Sequence, residues 1–181
     1  MDIKEYINSL NIDDIPWNRM VTAYGTAEKY PEYLSILDKM ENLDEVKNAW
    51  NKISDFEHQS TMFAPAPFAL VFLVRICEKA KKTDTPEAKW IIEKFNEDFD
   101  YYLEILDDTE SMEHAEPLPS FSDMLDEEYL LPEEYLAEGL TEDDLEDYLE
   151  EYDESFMSDE NYFYSLYYYL GIVLKDYDKK I

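Results

Sequence analysis

An all-α fold is predicted, and three observations predict it. Apolar residues recur three and four positions apart through most of the chain, which is the period of a helix with one buried side. Only 3 glycines and 8 prolines punctuate 181 residues, and β-branched residues are sparse beside Leu, Glu, Tyr and Ala. A hydrophobic fraction of 45%, with 15% aromatic, supplies a core even at a net charge of -30. The length suits one domain with a real core, or a domain plus an appendage.

Residues Asp2 to Leu10 suit a short amphipathic helix. Asp14-Ile15-Pro16-Trp17 then reads as a turn whose indole staples the entry to the next element, and Tyr24-Gly25-Thr26 breaks the chain. Pro31 has the fixed φ of a first helical turn, and Tyr33, Leu34, Ile36, Leu37 and Met40 continue at helical spacing, giving a helix near Pro31 to Met40. From Leu43 to Phe56 the residues Val46, Ala49, Trp50, Ile53 and Phe56 share one side. So short a link between the two makes them an antiparallel pair.

His58-Gln59-Ser60-Thr61 closes that pair, and Ala64-Pro65-Ala66-Pro67 opens the next helix. Phe68 to Lys79 is apolar nearly all round, as expected of a helix buried among neighbours. Thr85-Pro86-Glu87 is a strong helix start, followed by a stripe of Ile91, Ile92, Phe95, Phe99, Tyr102, Leu103 and Leu106. Periodicity lapses around Pro117 and Pro119. Short helices are expected at Ser122 to Leu130 and Pro132 to Ala137, with a break at Gly139.

Thr141-Glu142-Asp143-Asp144 matches a loose capping box, and acids there complement the positive end of the helix dipole. In the helix it opens, Leu145, Tyr148, Leu149, Tyr152 and Phe156 form the buried stripe. A last helix, about Asp159 to Asp176, is crowded with tyrosine and docks through it. The chain therefore divides into a helical domain at 1–106, a linker or long loop at 107–121, and an acidic, Tyr-rich helical part at 122–181 that packs on the first.

Charge is segregated along this order. Between Phe95 and Leu174 there is no Lys or Arg but 27 Asp or Glu, whereas Met1 to Lys94 carries 16 acids and 12 bases. Like charges three or four apart on a helix repel by roughly 0.2–0.5 kcal/mol per pair, so a limb of this kind calls for compensation. A basic partner would supply it. The expected binding face is Glu142, Asp143, Asp147, Glu150, Glu151 and Glu154, with Tyr148 and Tyr152 as aromatic anchors.

The same residues exclude several chemistries. Phosphate contacts need Lys and Arg, so direct nucleic-acid binding is not expected. Two histidines and one cysteine cannot make the usual four-ligand zinc site, and no Asp-x-Asp-x-Asp-Gly calcium loop is present; no metal and no cofactor are expected. His58-Gln59 is the most site-like pair of the N-terminal half, but a helix-end histidine bonded to backbone explains it more simply than a general base. With 45 carboxylates some close pair arises by chance, so no catalytic residue is assigned. The tyrosines from Tyr162 to Tyr169 read as core rather than as a platform for bases or sugars. Cys77 lies in an apolar run and reads as a buried free thiol suited to a reducing cytoplasm. Neither a secretory leader nor a membrane-spanning run is expected.

Trp17, the run Ala23-Tyr24-Gly25-Thr26-Ala27, Pro31 with Leu34 and Leu37, Val46 with Ala49, and His58-Gln59-Ser60-Thr61 followed by Ala64-Pro65-Ala66-Pro67 and Leu70 together resemble bacterial HEAT-like helical-repeat proteins. The resemblance covers about a third of the chain, Trp17 to Ile76. It implies stacked helix pairs and protein binding, in a group often found as companions of secreted toxins. Joined to the charge pattern, it leads to the expectation of a cytoplasmic immunity protein that occludes a basic toxin, a nuclease in the favoured reading, by mimicking a polyanion. The alternative is a helical-repeat scaffold whose acidic limb only aids solubility.

Overall fold

The computed structural model of the protein describes residues 2–136, 147, 150, 159–175 and 177, with only the backbone described for Glu110 and Leu136. It is mostly helical. Among the described residues there are six α-helices, α1 (Ile3–Ser9), α2 (Tyr30–Lys39), α3 (Leu43–Ile53), α4 (Ala66–Ala80), α5 (Pro86–Asp107) and α6 (Glu160–Lys175), of which α2 to α6 carry the core and α1 packs against it. One hydrophobic cluster extends from Leu10 to Tyr177.

The helix starts obey local chemistry. Asp2 and Glu5 close a capping box on α1. Asn42 Oδ1 accepts from the N–H groups of Asp44 and Glu45 at 3.0 and 3.1 Å, and Thr85 Oγ1 accepts from Ala88 N–H at 3.2 Å. The turn between α2 and α3 passes through Met40 at φ 53°, a left-handed residue that is not glycine. Its side chain is buried, and that burial offsets the cost of the backbone conformation.

Helix α4 is the centre of the molecule, packed against α2, α5 and α6. Phe68, Ala69, Leu70, Val71, Leu73, Ile76, Cys77 and Ala80 are all buried, which is why its sequence shows no polar face over most of its length. Trp17 packs on Tyr30 at the start of α2, with ring centres 5.5 Å apart, and on Phe72 of α4. Its indole N–H donates to the Ile12 carbonyl at 2.8 Å. The Cys77 thiol is buried and lies 3.1 Å from the Tyr177 hydroxyl, which donates to Asn96 Oδ1 at 2.9 Å. Burial pushes that thiol above its ordinary pKa, the behaviour of a packing residue.

Several expectations are corrected. The break at Tyr24-Gly25-Thr26 is an antiparallel hairpin, β1 (Val21–Thr22) with β2 (Gly25–Thr26), in which Val21 faces Thr26. His58 lies in a second hairpin, β3 (Glu57–His58) with β4 (Thr61–Met62), and not at a helix end. Gln59 and Ser60 hold φ of 51° and 65° there, the paired left-handed conformation of a tight hairpin turn. The helices expected at Ser122 to Leu130 and Pro132 to Ala137 are single 3-10 turns at Asp123–Leu125, Glu127–Tyr129 and Glu133–Leu136. Asp126 is extended, and the Leu131 N–H is taken by the Arg19 carbonyl at 2.8 Å, which interrupts any continuous ladder. In α5 Leu103 is exposed and Ile105 is buried, so the stripe expected through Leu103 runs instead through Ile105.

The acidic stretch after α5 is fastened by a few buried groups. Phe121 stacks on Phe68 of α4 at 4.7 Å and on Tyr169 of α6 at 4.6 Å. Tyr169 donates to the Pro119 carbonyl at 2.7 Å, and Ala115 N–H donates to Asn161 Oδ1 at 2.8 Å. Arg19, itself buried, donates from Nε to the Leu131 carbonyl and from Nη1 to Glu127, each at 2.8 Å.

Asp55 joins the two hairpins. Its carboxylate accepts from the Tyr30 and Thr22 hydroxyls, and its carbonyl accepts from Ala23 N–H at 3.0 Å. Burial raises the Asp55 pKa above its ordinary 3.8, against the opposing effect of those hydroxyl bonds.

Two predictions follow from these contacts. Phe121→Ala opens a void between α4 and α6 and costs about 3–5 kcal/mol in urea unfolding, with faster proteolysis near Ser120; an unchanged midpoint would contradict the packing described. Asp55 in the folded state holds its proton above pH 3.8, so the native form binds more protons than the unfolded form until its raised pKa is passed. Wild type therefore loses stability relative to Asp55→Asn as pH rises through that window, and a stability difference that stays flat with pH would overturn the assignment.

Candidate functional site

The acidic face begins on a well-defined helix. Glu93, Glu97, Asp100, Glu104 and Asp107 of α5 are all exposed, at alternating spacings of four and three. At 3.6 residues per turn they fall within roughly 80° of arc. The opposite side of α5 buries Ile91, Phe95, Phe99, Tyr102 and Ile105. Exposed Tyr101 and Leu103 border the acidic stripe on its two sides.

Beyond α5, Glu113, Glu116, Asp123, Asp126, Glu127, Glu128, Glu133 and Glu134 are exposed. Of the face expected from the sequence, Asp147 and Glu150 have helical backbone and are exposed. Glu142, Asp143, Tyr148, Glu151, Tyr152 and Glu154 lie outside the described residues. The sequence reading missed the α5 stripe as a face in its own right, because its spacing, though readable, is overlaid by the stronger apolar stripe on the same helix.

A depression of about 230 Å³ opens beside this stripe, between α3, α5 and the second hairpin. It is lined by Trp50, Asn51, Ser54, Glu57, Lys94, Asp98, Tyr101 and Tyr102. Asp98 Oδ2 accepts the Trp50 indole N–H and Oδ1 accepts Lys94 Nζ, both at 2.8 Å. Lys94 also reaches Glu97 at 3.1 Å. Glu57 Oε1 accepts from Tyr101 hydroxyl at 2.9 Å and from Ser60 N–H at 2.8 Å. Tyr102 is buried in the wall, and burial together with the charges of Asp98 and Glu57 pushes its hydroxyl pKa well above the ordinary value. It stays a neutral phenol.

Helical spacing puts Lys94, Asp98, Tyr101 and Tyr102 side by side on α5, and the tight turn after β3 brings Glu57 across from them. The sequence signal for this grouping is weak, because Trp50 and Tyr102 read simply as core.

His58 is placed differently from the sequence reading. Its Nδ1 lies 3.0 Å from the hydroxyl of Tyr24, and its partner is thus a side chain of the first hairpin rather than backbone. The α6 tyrosines divide: Tyr162, Tyr167 and Tyr169 are buried, while Tyr168 is exposed and Tyr164 stacks on His114 at 3.6 Å. Tyr167 hydroxyl accepts from Met62 N–H at 3.1 Å and so holds the second hairpin to α6. Among the described residues no group of His, Cys, Asp or Glu is arranged to hold a metal ion, and no helix is long and apolar enough to cross a membrane. Comparison of the chain with family models, curated proteins and solved structures returns no match.

Proposed function

We propose that the chain is a cytoplasmic immunity protein: a HEAT-like helical frame that presents an acidic face to a basic toxin, in the favoured form a nuclease, and blocks its cleft by one-to-one binding. The observation that carries this reading is the segregation of charge. Twenty-seven acids without a single base, in 80 residues of a chain whose remainder is nearly balanced, are not what general solubility requires.

The arrangement on α5 supports it. Carboxylates three and four apart on a helix lie about 5–6 Å from one another, of the same order as the roughly 3.4 Å of axis per phosphate along one DNA strand. A cleft built to hold phosphates meets in such a stripe a row of anions at comparable spacing. The exposed Asp147 and Glu150 would add to the negative field of the same surface. Encounter would be electrostatically steered, fast at low salt and slow at high salt.

The frame suits the task because it keeps the charged side chains on a packed support. The pairing of α2 with α3, and of α4 with α5, is compatible with the stacked helix pairs that the sequence resemblance implies. Nothing in this reading asks the chain to perform chemistry.

The test is whether the chain inhibits any basic toxin domain that proves to be encoded beside its gene. The expected result is a one-to-one complex that abolishes its activity, with an association rate at least tenfold lower in 500 mM than in 50 mM NaCl. Charge reversal of Glu150 and Glu151 to Lys is expected to slow association in the same way. Full inhibition by a variant with Glu93, Glu97, Asp100, Glu104, Asp107, Glu150 and Glu151 all replaced by Gln or Asn would favour the scaffold reading, in which the acids only solubilise. Failure to inhibit any basic protein encoded nearby would overturn the proposal.

A further inference from the structure

We propose that the depression between α3, α5 and the second hairpin receives one arginine side chain of the protein that binds the acidic face. The inference rests on the reading of the chain as a binder of a basic protein and adds where that partner is anchored.

Size comes first. About 230 Å³ is below the roughly 300–1,000 Å³ of pockets that enclose metabolites and drug-sized ligands, and is suited to a single side chain. Next comes the unused hydrogen-bonding capacity. Glu57 Oε1 is occupied by Tyr101 and Ser60, while Oε2 has no partner among the described residues. The hydroxyl of Tyr102, a residue only 4% exposed, likewise has none. Asp98 spends one bond on each oxygen, and a carboxylate oxygen can accept two. What the cleft offers is therefore mainly acceptors, from three directions, and the complement of several acceptors is a group with several donors.

Charge decides which donor group. Two carboxylates face one ammonium, that of Lys94, and the exposed Glu97, Asp100 and Glu104 stand just outside. A cation is favoured there over a neutral amide or a sugar. Shape separates the two cationic side chains. Guanidinium is planar, carries five N–H donors in a fixed fork, loses less on desolvation than an ammonium, and stacks on aromatic faces such as Tyr101. A lysine would place one compact, strongly hydrated charge next to Lys94. Arginine enrichment at the desolvated centres of interfaces is the general form of the same preference.

The Trp50 indole N–H reports directly, because it donates to Asp98 inside the cleft. The experiment is a heteronuclear NMR titration of the full chain with N-acetyl-L-arginine amide, with N-acetyl-L-citrulline amide as its neutral near-isostere and N-acetyl-L-lysine amide as the second cation. The expected result is a saturable shift of the Trp50 indole signal by the arginine amide with Kd on the order of 1 mM, a several-fold weaker response to lysine amide and none to citrulline amide. Glu57→Gln is expected to weaken arginine binding at least tenfold. Tyr102→Phe keeps the ring and is expected to weaken it about threefold.

Equal responses to arginine and citrulline amides, or no saturable response of wild type to either, overturn the assignment without requiring any variant to fold. Salt-sensitive inhibition of the toxin without an arginine-specific shift defeats the cleft alone. An arginine-specific shift in a protein that inhibits no basic partner defeats the immunity reading and leaves the cleft standing.

Discussion

Carboxylates at helical spacing repel one another, and α5 has to stay helical in spite of five of them on one side. It does so by docking. Its other side sinks Ile91, Phe95, Phe99, Tyr102 and Ile105 into a core shared with α4 and α6, at about 1.5–3 kcal/mol for each large apolar side chain fully buried. Four neighbouring like-charged pairs at roughly 0.2–0.5 kcal/mol each cost about 1–2 kcal/mol, so burial wins easily. The charge is held in place by packing, and Glu97 in addition keeps Lys94.

The same logic extends past α5. The chain from Met112 to Leu131 is acidic, has no helix longer than a turn, and is nevertheless tied down at spaced points: Phe121 between two aromatic rings, Met124 and Leu131 in the core, and the Arg19 guanidinium on Glu127. Arg19 supplies from the N-terminal, charge-balanced part what this stretch lacks, a cation. Its value is that of a buried group satisfying a backbone carbonyl as well as a carboxylate, since an exposed ion pair alone contributes little.

How much of this was legible in the sequence depends on the range of the interaction. Helices α2 to α6 were readable to within about three residues, the largest miss being the end of α3 at Ile53 where the stripe ran on to Phe56, because capping residues and 3.6-residue stripes are local signals: Thr85, Pro31 and the face from Ile91 to Tyr102 each act within a few positions. The two hairpins were not, since strands of two residues are too short to show alternation and the second turn uses Gln59 and Ser60 where Gly or Asn would have marked it. The segment from Ser122 to Leu136 reads as short helix by composition, yet Arg19 and α4 dictate its path from more than 50 residues away. The cleft of Glu57, Asp98 and Tyr102 depends on α5 meeting a hairpin that had not been foreseen, so its residues were legible only one at a time.

Acidic limb and aromatic cleft are joined at α5, whose edge residues Asp98 and Tyr101 belong to one and whose exposed stripe belongs to the other. In the binding proposed above, such a surface would divide the work in the usual way, with long-range attraction setting the association rate and one anchoring point the residence time. Beneath it lies like-charge repulsion along the α5 stripe, outweighed by the burial of the opposite side. The direct measurement is the melting temperature of the free protein in 10 mM and 500 mM NaCl, beside a variant with Glu93, Glu97, Asp100, Glu104 and Asp107 neutralised to Gln or Asn. Screening of about 1–2 kcal/mol should raise the wild-type melting temperature by roughly 2–8 °C and the variant's by clearly less. A wild type indifferent to salt, or a variant that responds as strongly, would contradict the account.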